Sequence, residues 1–281
     1  MPLTLTMEPG WLLLMVGALA LTGVVAGLTA GLLGLGGGLV IVPVTYHVFT
    51  LLDVDLSVRM HMAVGTSLAC IVPTALSSAR AHHRRGSLDP VLLRALAPSV
   101  ALGVAIAAFA TRYLSGDVLA MIFGVVALLV AGQMLVGGRD WFPGLRLSQH
   151  EIARLGLGGI IGGLSTLMGI GGGTLSVPLL RACGTPMRRA VGTASAIGVV
   201  IAVPGAAGFM ITGLGIDGRP PLSLGYVSVA GFACIVPMGL VTAPLGASLA
   251  HRVNATRLRQ AFALFLAATA VRVLGTSLSI W

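Results

Sequence analysis

The chain has 281 residues, 56% of them hydrophobic and only 9% charged, with a mean hydropathy of +1.01. A soluble domain carries about 25% charged residues, so this composition excludes a soluble α/β fold and a disordered chain and describes an integral membrane protein. The formal charge of +9 comes from arginine without any lysine, and the arginines sit in short connections, a pattern that sets membrane orientation and not one that points to nucleic acid.

The first ten residues hold Glu8 and no base, so the positive region of a cleaved signal is missing and the N-terminus is expected to be retained. Five apolar segments follow, near 11–35, 38–52, 62–80, 92–112 and 117–136, and five more near 152–170, 173–183, 190–213, 225–250 and 257–280. They are apolar on every face and do not alternate, which predicts helices and excludes the strands of a membrane barrel. At about 1.5 Å per residue, the segment at 173–183 covers only about 16 Å of a hydrocarbon core about 30 Å thick. Short, half-crossing or re-entrant elements are expected there, giving eight to ten transmembrane helices in all.

Self-similarity organises these segments. Gly34-Leu35-Gly36-Gly37-Gly38 with Pro43 recurs 135 residues later as Gly169-Ile170-Gly171-Gly172-Gly173 with Pro178. Ala63-Val64-Gly65-Thr66 recurs 127 residues later as Ala190-Val191-Gly192-Thr193, and Pro98, Leu119, Phe123 and Leu135 recur at an offset of 139 as Pro237, Leu258, Phe262 and Leu274. The expected fold is an all-α polytopic membrane protein made of two repeats. Residues 1–137 form the first transmembrane repeat, 138–151 a cytoplasmic linker and 152–281 the second repeat. Because five is odd, the second repeat enters the membrane from the opposite side. All arginines but Arg59, Arg112, Arg219 and Arg272 then fall in connections on one side, whereas Glu8, Asp53, Asp55, Asp117 and Asp217 lie on the other. The arginine-rich side is read as cytoplasmic, with both termini outside an inner membrane.

Three successive glycines interrupt a helix, leave backbone groups without partners inside it, and remove the side chains that would hold another group away. Such backbone is tolerated at membrane depth only where protein buries it or a cavity faces it, and two breaks at matching positions of an inverted repeat point to a central transport site. The candidate substrate-binding residues are therefore Gly36, Gly37, Gly38, Gly171, Gly172 and Gly173, with the segments beginning at Leu39 and Thr174 offering helix N-termini to an anion. Thr66, Ser67, Thr193 and Ser195 add hydroxyl donors near the start of the next segment; the alternative for each is back-bonding to its own helix. Close helix packing is the alternative for the glycines, favoured by Gly23-xxx-Gly27-xxx-Gly31 and Gly159-xxx-Gly163.

Gln133 and Arg272 correspond at offset 139 and are the least apolar residues of the fifth segments, so they are pathway candidates, with snorkelling to the membrane edge as the other reading of Arg272. His47 is the candidate proton carrier, because none of the eight acids falls inside an apolar segment. Cys70, Cys183 and Cys234 show no metal spacing, and His82-His83 beside Arg84-Arg85 reads as a solvated basic turn, so no metal and no cofactor is expected. No nucleophile and base can be assembled, and an enzyme is not expected.

These residues resemble a known family. The paired glycine motifs, the two Ala-Val-Gly-Thr sequences, the turn from His83 to Asp89, Leu224-Gly225-Tyr226-Val227, Ala243-Pro244-Leu245-Gly246-Ala247 and Leu258-Arg259-Gln260-Ala261-Phe262 together resemble the sulfite exporter TauE/SafE family. The resemblance implies an inner-membrane permease for small sulfur-containing anions such as sulfite, sulfonates or sulfoacetate, commonly acting in export, with the glycine and Gly-Thr positions as pathway elements and no catalytic residue. Ala194 separates Thr193 from Ser195, whereas Thr66 and Ser67 are adjacent, so the two half-sites differ. The expected mechanism is alternating access around the glycine breaks, with a non-transporting scaffold and proton-coupled uptake as the alternatives. The expected partners are a small anion and the lipid bilayer, with a homodimer left open.

Overall fold

The structure is a computed structural model that describes residues 9–33, 37–136, 151–249 and 255–277. Within them lie ten helices: α1 Pro9–Leu33, α2 Gly38–Leu51, α3 Leu56–Arg84, α4 Pro90–Ala110, α5 Gly116–Val136, α6 Glu151–Leu167, α7 Gly173–Ala182, α8 Met187–Thr212, α9 Val229–Leu249 and α10 Ala255–Ser277. A short antiparallel hairpin, β1 Ser223–Leu224 and β2 Val227–Ser228, precedes α9. Among the described residues seven helices are long and apolar enough to cross a membrane, and the chain is an all-α polytopic membrane protein.

The short elements fall where the glycines do. α2 has 14 residues and α7 has 10, about 21 and 15 Å of helix, so neither matches a full hydrocarbon core. The expected linker lies largely outside the described residues. Two expected boundaries move for physical reasons. α3 extends beyond 62–80 because Asp55 caps its start by accepting from the Ser57 amide at 2.8 Å, and polar turns at both ends carry the helix past its apolar stretch. Residues 225–228 join the hairpin, and helix begins only at Val229.

Four of the first five helices pair with four of the last five. α1 packs along α9 and α6 along α4, while α3 pairs with α8 and α5 with α10. Small residues make the α1–α9 and α4–α6 contacts close. A methyl group added at Gly27 would stand 2.8 Å from the Gly239 Cα, and one added at Gly103 would stand 2.8 Å from the Gly159 Cα. Gly23 lies against Ile235 and Met238, and Gly158 against Ser99. Without a hydrophobic driving force between helices in lipid, such backbone approach supplies the dispersion contacts that hold the bundle. The centre is filled by Leu39, Met60, Met62, Leu68, Ile71, Phe123, Ile170 and Phe209, all fully buried, whereas Leu102, Ile106, Phe109, Val125 and Leu129 face outward on α4 and α5.

Candidate functional site

The two glycine breaks meet. Gly37 and Gly172 stand at the N-termini of α2 and α7, both in right-handed helical conformation and neither with a side-chain cap. A methyl group at Gly38 would lie 2.6 Å from the Gly169 carbonyl oxygen, 2.9 Å from the Ile170 Cα and 2.8 Å from Ile71 Cδ1, so the first break rests directly on the backbone of the second. Gly169 makes the turn possible at φ +65°, a left-handed conformation that side chains disfavour, and it is wedged 2.9 Å from the Val64 Cα by the same measure. The flanking glycines face elsewhere. Gly37 abuts Ala26 of α1, Gly171 faces Ile71 of α3, and Gly172 lies against Gly198 and Ala194 of α8. Gly173 begins α7 and is buried; Gly36 lies outside the described residues.

The hydroxyls of the Gly-Thr sequences join the two halves of the chain. Thr66, fully buried on α3, accepts a hydrogen bond from the Ser228 amide at 2.9 Å; Thr193, fully buried on α8, accepts one from the Asp89 amide at 3.1 Å. Asp89 and Ser228 are themselves 139 residues apart. Asp89 caps α4 by accepting from Val91 and Leu92, and the Ser228 hydroxyl accepts from the Gly231 amide at 3.1 Å at the start of α9. The preceding glycines follow suit, since a methyl at Gly65 would strike the Tyr226 carbonyl and one at Gly192 the Ser87 carbonyl. Each Gly-Thr sequence is thus the socket for the other half's turn before its fourth helix. Ser67 donates to the Gly169 carbonyl at 2.6 Å and so ties α3 to the second break. Ser195 donates to Gly192 within its own helix at 2.7 Å and is kept apart from that contact.

Of the remaining candidates, Arg272 of α10 lies close enough to His47 of α2 to act on it electrostatically, whereas Gln133 is on α5. His47 is half-buried on α2, edge-on to Tyr46 at 5.8 Å. Gln133 is half-buried near the end of α5 and Arg272 is exposed on α10. None of the three lies at the crossing of the breaks. Beside that crossing, Ala26, Ala30, Gly37, Ile41, Thr74 and Gly239 line a crevice of about 10 Å³, roughly the volume that one water needs. Among the described residues no group of His, Cys, Asp or Glu is arranged to hold a metal.

The two faces of the bundle differ in charge. One carries exposed Arg84, Arg85, Arg188 and Arg189, where Arg188 donates to the Arg85 carbonyl at 3.3 Å and Arg189 approaches Asp89 at 3.8 Å. The other carries Asp53, Asp55 and Asp217, with Gly218 of the α8–α9 connection packed on Asp55. On this second face the Ser57 hydroxyl and amide hold the Asp55 carboxyl below the usual carboxylate range. Four residues that sequence reasoning did not select take part: Ser228 and Asp89, whose shared offset could have revealed them and of which Asp89 lies at the arginine-rich face, and Ser165 and Ser176, which are fully buried beside the second break. Nothing in their apolar surroundings distinguishes those two serines from back-bonded ones.

Comparison with known proteins identifies a family. The family described as sulfite exporter TauE/SafE matches residues 19–273. A "probable membrane transporter protein" of Haemophilus influenzae is 34% identical over 255 residues, covering 90% of this chain and 96% of the relative. The "probable membrane transporter protein YunE" of Bacillus subtilis is 26% identical over 69% of this chain and 78% of its own length. The "probable membrane transporter protein MJ0441" of Methanocaldococcus jannaschii is 24% identical over 88% and 91%. No solved structure matches the chain.

Proposed function

The chain belongs to the sulfite exporter TauE/SafE family of membrane transporters, and on that premise we propose that it is a permease carrying a small sulfur-containing oxyanion out of the cell by alternating access. The observation that carries this reading is the contact of the two glycine breaks, Gly38 on Gly169 and Ile170, deep in the protein between two short helices. We take the two halves as inverted repeats, divided between 137 and 152, and the matched pairs Thr66–Ser228 and Thr193–Asp89 support that division. The arginine-rich face is the cytoplasmic one on this reading, in an inner membrane with both termini outside, and its positive potential gathers anions at the entrance.

Export follows a simple energetic gradient. With the interior negative, one negative charge moving outward gains about 2.3 kcal/mol per 100 mV, so neither a carboxylate relay nor a cofactor is required, and no catalysis is assigned. The substrate is held by backbone amides at the α2 and α7 N-termini, where the partial positive helix charge favours an anion without a fixed cation to trap it. Sulfite flux in proteoliposomes under an imposed potassium diffusion potential tests the reading. Flux should follow the potential and be inhibited by sulfonates; folded protein that passes no sulfite, sulfonate or sulfoacetate at either polarity would refute it.

A further inference from the structure

Three buried side-chain polar atoms among the described residues have no hydrogen-bond partner: His61 Nδ1, Ser165 Oγ and Ser176 Oγ. His61 is otherwise engaged, stacked on Tyr226 at 4.8 Å with its second nitrogen 3.3 Å from the Thr111 carbonyl. The serines are different. Both are fully buried and both belong to the second half. A buried hydroxyl normally finds a partner, and back-bonding is open to any helical serine. The neighbouring hydroxyls do find one: Thr166 donates to the Gly162 carbonyl at 2.7 Å and Ser67 to Gly169.

Their positions converge on the second break. Ser176 lies three residues into α7, and its amide donates to the Gly172 carbonyl at 2.9 Å. A helical side chain leans toward the N-terminus, which sets this hydroxyl over the Gly172–Gly173 end. Ser165 lies in the last turn of α6, where its carbonyl accepts from the Ile170 amide at 3.0 Å as the chain enters the break. At the 135-residue offset, Ser165, Gly172 and Ser176 correspond to Ala30, Gly37 and Ile41, which line a single crevice closed on its far side by Ile235 and Gly239 of α9. At these two positions the second half carries hydroxyls where the first carries Ala30 and Ile41, and the hydroxyl of the first crevice, Thr74, is back-bonded to the Cys70 and Ile71 carbonyls.

We propose that Ser165 and Ser176, with the amide edge of the first turn of α7, form an oxyanion subsite in the second repeat that the first repeat lacks. It rests on the permease reading above and assigns the polar half of its site. Two hydroxyl donors and the positive end of a helix suit the oxygens of a sulfite or sulfonate group, and the lack of a cation lets the anion leave. The hydroxyls are sealed in this structure, so the subsite fills when α6 and α7 part. α6 touches α7 only sparsely, whereas α1 packs along α2.

The test is calorimetric titration of purified Ser165→Ala/Ser176→Ala protein with sulfite, beside its melting temperature and wild-type flux. Sulfite affinity should fall at least tenfold with the melting temperature unchanged or raised, because an unpaired hydroxyl has been removed. Wild-type affinity in the variant, with wild-type protein transporting sulfite, would overturn the subsite and leave the permease intact. A lowered melting temperature in the variant would also overturn it, since the hydroxyls would then be partnered within the fold. Wild-type protein that neither binds nor transports sulfite, sulfonate or sulfoacetate would overturn the permease reading and the subsite with it.

Discussion

Thr66 and Thr193 illustrate how one hydroxyl serves a membrane bundle. Each satisfies a backbone amide that opens a helix of the opposite half, the Ser228 amide in the buried interior and the half-buried Asp89 amide beside the arginine-rich face. Replacing either with Val keeps the shape and orphans the Ser228 or Asp89 amide, at a cost of about 1–3 kcal/mol. Thermal unfolding should show a lowered midpoint for Thr66→Val and for Thr193→Val, and an unchanged midpoint in both would remove the socket from the account. Sequence reasoning selected these threonines as substrate donors because the repeat made them conspicuous; their partner is a backbone N–H, which no residue identity announces. Asp55 gives a prediction in pH. Its carboxyl is held below the usual range by Ser57, so the stabilisation is complete above the ordinary carboxylate pKa near about 4 and is lost as pH falls through the lower folded value. The melting-point gap between wild type and Asp55→Asn should therefore be open at neutral pH and close only as pH falls below the ordinary carboxylate range.

The breaks can be tested as elements. Valine at Gly172 would drive its Cβ toward the Gly198 amide, 2.6 Å away, and the Ala194 carbonyl at 2.8 Å, prising α7 from α8. Backbone cannot yield as a flexible side chain does, so Gly172→Val should insert in the membrane and lose anion flux; full flux from a well-expressed variant would show that the break is packing alone. The elements themselves were largely legible. Runs such as Leu119 to Val130 can only be membrane helix, and the few residues of the segment at 173–183 marked α7 as short. The hairpin before α9 was not legible, because Leu224-Gly225-Tyr226-Val227 is apolar enough to continue the helix, and only the left-handed Gly225 at φ +57° turns it. Ser165 and Ser176 were equally hidden, since satisfaction of a hydroxyl is a property of three dimensions.

At the scale of the whole molecule, the arginine asymmetry predicts a definite orientation. A single cysteine at Arg85, in a background where Cys70, Cys183 and Cys234 are replaced by Ala, should react with an impermeant maleimide only from the cytoplasmic side. A cysteine at Ser115, in the α4–α5 turn, should react only from outside. The reverse pattern would invert the topology and with it the argument for export, while leaving the packing of the helices untouched.

The packing of α1 on α9 and of α4 on α6 also bears on how the chain assembles. When α1 to α5 have left the ribosome, α1 has no α9 to receive Gly23 and Gly27, and α4 has no α6 to meet Gly103. The early half therefore waits in the bilayer with its small-residue faces open to lipid until translation delivers their mates. A fragment ending before residue 151 should be degraded when made alone and survive when the remaining fragment is supplied as a separate polypeptide. Assembly is then set by encounter of the fragments, because the decisive contacts run between them and not along either one.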